Sequence, residues 1–270
     1  MTEPVLISQQ DGAIRFLTMN RPNSRNALND DLIAALDEAF TEIATDDKTN
    51  LVVLRAEGTV FCAGHDLGEI VDKRNGPDEG KAALREVIES CSRMMKKIAA
   101  LPQPVLASVQ GMATAAGCQL VAQCDMAVAA RSAKFATPGV NIGLFCTTPM
   151  IPITRTVHAK AAADMLMTAE PMTADQAREA GLISRVFDDY DIDDATLAIA
   201  RTIAEKPRQI LLLGKDAIRQ TRDLPLERAY DVATDIMSNN LMRDEAVEGI
   251  SAFRDKRHPI WSHGGANLAR

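Results

Sequence analysis

Val60-Phe61-Cys62-Ala63-Gly64-His65-Asp66-Leu67 and Val109-Gln110-Gly111-Met112-Ala113-Thr114-Ala115-Ala116-Gly117-Cys118-Gln119-Leu120 are the two stretches on which the fold turns. In the first, an apolar strand-like run stops at a glycine. Without a Cβ, that residue lets the chain reverse so that the next amide can point into a cleft. In the second, a strand passes through small residues into a helix, so unpaired amides at the helix N-terminus face a surface that no large side chain blocks. Each stretch has a bland alternative: a plain strand-to-helix turn for the first, a small-residue packing seam for the second. Either motif alone decides little.

Upstream, Val5-Leu6-Ile7 and Ala13 to Met19 read as strands of a hairpin, with a turn signal at Asp11-Gly12. Leu28, Leu32, Leu36, Phe40 and Ile43 recur at helical spacing and predict an amphipathic helix over about 28 to 44. Leu51-Val52-Val53-Leu54 reads as a buried strand. Helix (81–100), strand (105–109), helix (117–122) and strand (126–129) then alternate, which favours an α/β architecture. Thr173-Ala174-Asp175-Gln176 has the form of a capping box, and Gly181 marks the end of the helix it opens. From Ile192 onward the pattern is almost wholly helical. We read one domain, a core over 1–205 followed by a helical C-terminal region over 206–270 that packs on the core or on a neighbouring subunit.

The 270 residues, 46% of them hydrophobic, suffice for one large core. No run reaches the roughly 18 to 20 apolar residues of a membrane span. Met1-Thr2-Glu3-Pro4 lacks the basic and apolar regions of a leader, so the expected location is the cytoplasm. Cys62, Cys91, Cys118, Cys124 and Cys146 form no C-x-x-C pair and have no histidine at zinc-ligand spacing, so no metal is expected. A net charge of -7 argues against a nucleic-acid partner.

Together the two stretches resemble the paired signatures of the crotonase (enoyl-CoA hydratase/isomerase) family, F-x-A-G-x-D-[LI] and N-G-x-A-x-G-G-G-x-E-L. The resemblance covers nearly the whole chain. Arg21-Pro22-Asn23-Ser24-Arg25-Asn26-Ala27-Leu28 is similar to the family's R-P-x-x-x-N-A-L, Cys124-Asp125-Met126-Ala127 to its C-D-[IM]-A, and Phe135-Ala136-Thr137-Pro138 to its F-x-x-P. The match of F-C-A-G-H-D-L, A-A-G-C-Q-L and the ending from Lys256 to His263 resembles a narrower branch, the enoyl-CoA hydratase domain-containing protein 3 group.

The resemblance implies a crotonase-like spiral of ββα units, a C-terminal helical trimerisation region, and assembly as a homotrimer or dimer of trimers. It implies an acyl-CoA thioester as ligand, with coenzyme A as part of the substrate and no separate cofactor. Carried over by position, the two oxyanion amides fall on His65 and Ala116. The CoA contacts fall on Arg25, Ala27, Ala63, Asp66 and Leu67, with Phe253 and Lys256 from the C-terminal helix. Asp66 also has a local reading, since an aspartate after a glycine turn commonly bonds nearby amides.

Hydratases of the family use two glutamates, and here Gln119 and Gly139 stand at those positions. An amide is essentially non-basic and glycine has no side chain. Losing one positioned acid or base typically costs about 10² to 10⁴ in rate. The aspartate of other branches falls on Thr147, beside Cys146. Gly139 is expected to leave room for a water or a small anion such as bicarbonate, the arrangement of the naphthoate-synthase branch. His65 carries the only titratable side chain in the matched signatures that could act near neutrality, and its imidazole is free to turn toward the CoA ribose or solvent. His158, His258 and His263 are expected at the surface. Two functions follow: an enzyme that stabilises a thioester enolate, and a binding or regulatory protein that kept the pocket and lost the chemistry.

Overall fold

A computed structural model describes residues 3–261. It opens with the hairpin of β1 (Leu6–Asp11) and β2 (Ile14–Met19), paired antiparallel from Leu6 opposite Met19 to Asp11 opposite Ile14. Then α1 (Asp30–Thr45) buries Leu32, Ile33, Leu36, Phe40 and Ile43. The helix starts at Asp30 rather than 28 because Leu28 is held elsewhere and Asn29 caps the first turn, accepting from Leu32 N at 3.1 Å.

The chain now repeats one device. β3 (Leu51–Ala56) is followed by β4 (Val60–Cys62), α2 (Leu67–Arg74) and α3 (Lys81–Ala100). β5 (Val105–Val109) leads through β6 (Met112–Thr114) into α4 (Ala116–Gln123). β7 (Met126–Ala130) leads through β8 (Lys134–Ala136) to α5 (Met150–Thr156) and α6 (Ala159–Thr168). In each turn the first strand joins a six-stranded sheet and the second joins a four-stranded one, so the expected spiral of ββα units is what forms. After β9 (Met172–Thr173) and α7 (Ala174–Glu179), whose capping box of Thr173 and Gln176 is present, β10 (Arg185–Phe187) completes the larger sheet. The orders are β1-β2-β3-β5-β7-β10 and β4-β6-β8-β9.

The central strands β3 and β5 run parallel, and their apolar stretches Leu51 to Leu54 and Val105 to Ala107 are buried on both faces. On one face α1 and α3 close the main core over Leu17, Val52, Leu54, Val105 and Ala107. On the other, α8 (Ile192–Ala204) presents Ile192, Thr196, Ala200 and Ala204, one turn apart, to Phe16, Val53, Leu106 and Val128. The chain ends in α9 (Arg208–Thr221), α10 (Leu226–Leu241) and α11 (Asp244–Arg254), and neither α9 nor α10 has a fully buried residue. No helix among the described residues is long and apolar enough to cross a membrane.

Candidate functional site

Two loops meet at the mouth of the smaller sheet, and backbone hydrogen bonds zip them together. Ala63 N donates to Arg25 O at 3.1 Å, Leu28 N to Gly64 O at 2.8 Å and Asp66 N to Leu28 O at 3.1 Å. The 21–28 loop is shaped for this by left-handed Arg25 (φ 53°) and Asn26 (φ 50°). Asn26 is wholly buried; its Oδ1 accepts from Arg21 N and its Nδ2 donates to Glu57 O and Val60 O, each at 2.8 Å. Sequence reading gave Asn26 and Arg21 no role beyond the motif. Arg21 donates to Ala27 O and reaches Asp66 Oδ2 at 3.2 Å.

Asp66 turns its other oxygen onto Gly68 N at 3.1 Å and Glu69 N at 3.4 Å, capping α2. Its carboxylate is thus engaged locally. Arg25 is exposed beside this corner, Leu67 is half-exposed, and Ala27 is buried with Ala63 partly covered.

Gly64, at φ +86°, joins this corner to the second stretch. A Cβ built there would stand 2.9 Å from Ala115 Cβ and 3.3 Å from Ala116 N. Gly117 makes the matching approach from α4, since a Cβ on it would fall 2.2 Å from Cys62 O. The residue before His65 therefore lies against the Ala116 amide, and neither the His65 nor the Ala116 N–H has a protein acceptor among the described bonds. Ala115 sets the direction of the second amide at φ 49°, ψ -117°, an unusual conformation for a residue with a side chain.

One turn into α4, Gln119 is only 4% exposed and its buried Oε1 has no partner. Helix side chains lean toward the N-terminus, so this amide lies on the Ala116 side of α4. Gly139 is the clearest correction. A Cβ there would be 2.8 Å from Leu144 O and 2.9 Å from Cys146 Sγ, and Leu144 N closes the loop onto Gly139 O at 2.9 Å. In the direction that a side chain would take, the room expected for bicarbonate is filled by the chain itself. Nothing in the sequence pattern signalled that closure.

His65 also departs from one expectation. Both of its ring nitrogens are buried without a hydrogen-bond partner, so neither faces solvent, although the residue as a whole is only partly buried. Burial pushes its pKa below the ordinary histidine value, against a smaller opposing pull from the Leu28 backbone. Cys146 is partly buried and burial raises its thiol pKa, with a weaker opposing contact to Gly139; Cys118 behind it is pushed up to about 12. Such thiols are poor nucleophiles. Thr147, His158 and His258 are exposed, while His263 lies outside the described residues. Phe253 is 85% exposed on α11 and Lys256 is exposed just beyond it. Among the described residues no group of three or more histidines, cysteines and carboxylates could hold a metal.

Comparison with known proteins fits this geometry. The enoyl-CoA hydratase/isomerase family model matches residues 9–264. The chain is 44% identical over 257 residues to enoyl-CoA hydratase domain-containing protein 3, mitochondrial, of Danio rerio, covering 95% of this chain and 87% of that one. A crystal structure of an enoyl-CoA hydratase from Mycobacterium smegmatis superposes with a TM-score of 0.91 at 44% identity, over 96% of this chain and 99% of the other. The crystal structure of human enoyl-CoA hydratase domain-containing protein 3 gives a TM-score of 0.90 at 39% identity, over 95% and 100%. The expected cytoplasmic location does not survive these matches, because the fish, mouse and human relatives are all designated mitochondrial. With a family model spanning residues 9–264 and a relative 44% identical along nearly all of it, this chain belongs to the enoyl-CoA hydratase/isomerase, or crotonase, family.

Proposed function

We propose that this protein binds an acyl-CoA thioester with its carbonyl on the amides of His65 and Ala116, and stabilises an enolate there without the two-carboxylate delivery of water. The wedge at Gly64 carries this reading, because it sets the Ala116 amide beside the residue preceding His65 and leaves both donors free. A donor aimed at a developing oxyanion is worth about 2.7 to 4 kcal/mol. Both are backbone groups, so the unusual side chains at these positions do not remove them. Arg25, Ala27, Ala63, Asp66 and Leu67 would line the CoA approach, with Phe253 and Lys256 contributed through assembly of copies into a homotrimer or a dimer of trimers. The test is a calorimetric titration with butyryl-CoA and with free coenzyme A. The thioester should bind about tenfold tighter or better, a difference of about 1.4 kcal/mol. Equal affinities would remove the carbonyl from the amides.

A second reading, a binding protein without turnover, is favoured by the closure at Gly139, where Leu144 O and Cys146 Sγ crowd the direction that a side chain at this position would take. It predicts tight binding of crotonyl-CoA with no hydration above background. Gln119→Glu then separates the two. A rate that rises with the substitution means the site still orients the double bond, and a flat zero leaves recognition alone.

A further inference from the structure

The larger sheet has a polar end that the acyl-CoA reading does not use. On the face turned to α8, side chains change from apolar to polar toward the carboxyl ends of the parallel strands: Phe16 gives way to Thr18, Val53 to Arg55 and Leu106 to Ser108. Open α/β sheets place ligands at such ends. A cavity of about 560 Å³ lies there, with Phe16, Arg55, Ser108 and Thr196 among its lining and Asp11, Asp193 and Asp194 at its rim. Its volume is within the range of small-molecule sites.

Arg55 gives this cavity its chemistry. Its Nε donates to Thr18 Oγ1 at 2.9 Å, and its guanidinium carbon lies 4.8 Å from the centre of the Phe16 ring, so two contacts hold the group in position. Its terminal nitrogens donate to no protein acceptor among the described bonds, and it forms no salt bridge there. Other partly buried cations do: Arg15 meets Asp46 at 3.3 Å, Arg21 meets Asp66 at 3.2 Å and Lys215 meets Asp125 at 2.7 Å. A planar guanidinium left unpaired offers the parallel N–H groups that carboxylates accept from bidentately. Beside it the buried hydroxyls of Ser108 and Thr196 bond to each other at 2.8 Å. That leaves one hydroxyl proton for a further acceptor.

The rim has the opposite sign. Three exposed carboxylates would repel a multiply charged anion such as inorganic phosphate, whereas a molecule with one carboxylate and one ammonium satisfies both ends. We propose that this cavity binds a small zwitterion of the amino-acid type, with its carboxylate on Arg55 and its ammonium toward Asp193 and Asp194. The site is separate from the amide pair. Ala116 and Cys118 belong to the core on the α1 side of the sheet, and Phe16, Val53 and Leu106 to the core under α8.

The experiment titrates the full-length protein by calorimetry with the standard amino acids, one at a time. At least one should bind saturably. Its N-acetyl derivative, which keeps only the negative charge, and its carboxamide, which keeps only the positive one, should each bind about tenfold more weakly or worse. Arg55→Gln should abolish binding. Because that change also removes a hydrogen bond and a stacked ring contact, the double variant Asp193→Asn, Asp194→Asn on the exposed rim serves as the second arm and should weaken binding about threefold or more. The proposal is overturned if no amino acid binds, if the N-acetyl derivative binds as well as its parent, or if the rim variant binds like the wild type.

Discussion

Ala115 opens α4 at φ 49° and ψ -117°, where its Cβ crowds its own backbone. Such a residue stores of order 1–3 kcal/mol, released only if glycine replaces it. Glycine returns about 0.5–1 kcal/mol of that through its freer unfolded chain. Ala115→Gly should therefore stabilise the protein by about 1 kcal/mol, seen as a higher urea midpoint with an unchanged slope; a lower midpoint would mean that the conformation carries no strain. His65 offers a pH test. Its folded-state pKa is depressed by burial from the ordinary 6.5. The unfolded chain therefore takes up a proton that the native chain refuses, so stability is full above pH 6.5 and declines below it until the native imidazole protonates as well. His65→Phe should flatten that decline when urea midpoints are compared across the range. Parallel curves for the two proteins would show that another group governs the acid limb.

At the scale of elements, the helix α9 is stapled to the core by one side chain. Lys215 is 9% exposed; its Nζ donates to Ile98 O at 3.1 Å, to Gln103 O at 3.0 Å and to Asp125 Oδ2 at 2.7 Å. Asp125 in turn accepts from Val105 N at 2.7 Å, so the staple ties α9 to the end of α3 and to the start of β5. Breaking a fully buried pair costs about 3–5 kcal/mol. With Asp125 about a third exposed, the expected loss for Lys215→Met is nearer 2 kcal/mol, since solvent screens part of the pair. Limited proteolysis should then cut within α9–α11 sooner than in wild type, and an unchanged digestion pattern together with an unchanged melting temperature would count against the staple.

The same scale shows what a sequence can disclose. The helix α3 was legible from end to end and α1 to within two residues, because each carries its own apolar period. The strands β6, β8 and β9 span two or three residues each and have no period of their own; pairing across successive turns of the spiral creates them. The corner at Gly64 was legible because glycines and small residues mark close approach. The loop that closes on Gly139 was not, since a backbone carbonyl from Leu144 does the filling and any sequence supplies a carbonyl.

Over the whole molecule, the last three helices pose a question of solvent. Ile218, Tyr230, Met237, Leu241, Val247, Ile250 and Phe253 are all exposed in one chain, and Tyr230 and Met237 stand two turns apart on α10. Monomers seldom expose large contiguous apolar patches. Burying such a side chain against a partner contributes about 1.5–3 kcal/mol, so the row suits a closed ring of copies, in which each subunit offers the same surface. The region that leaves Phe253 and Lys256 exposed in one chain is the region through which a neighbour would receive them. Sedimentation equilibrium should therefore give a trimer or a hexamer, and the pair Tyr230→Asp, Met237→Asp should shift the mass toward the monomer. If the contacts cross between subunits, butyryl-CoA affinity should fall in step with the loss of assembly. A wild-type protein that sediments as a monomer, or a dissociated variant that binds the thioester undiminished, would place the whole acyl-CoA site within one chain.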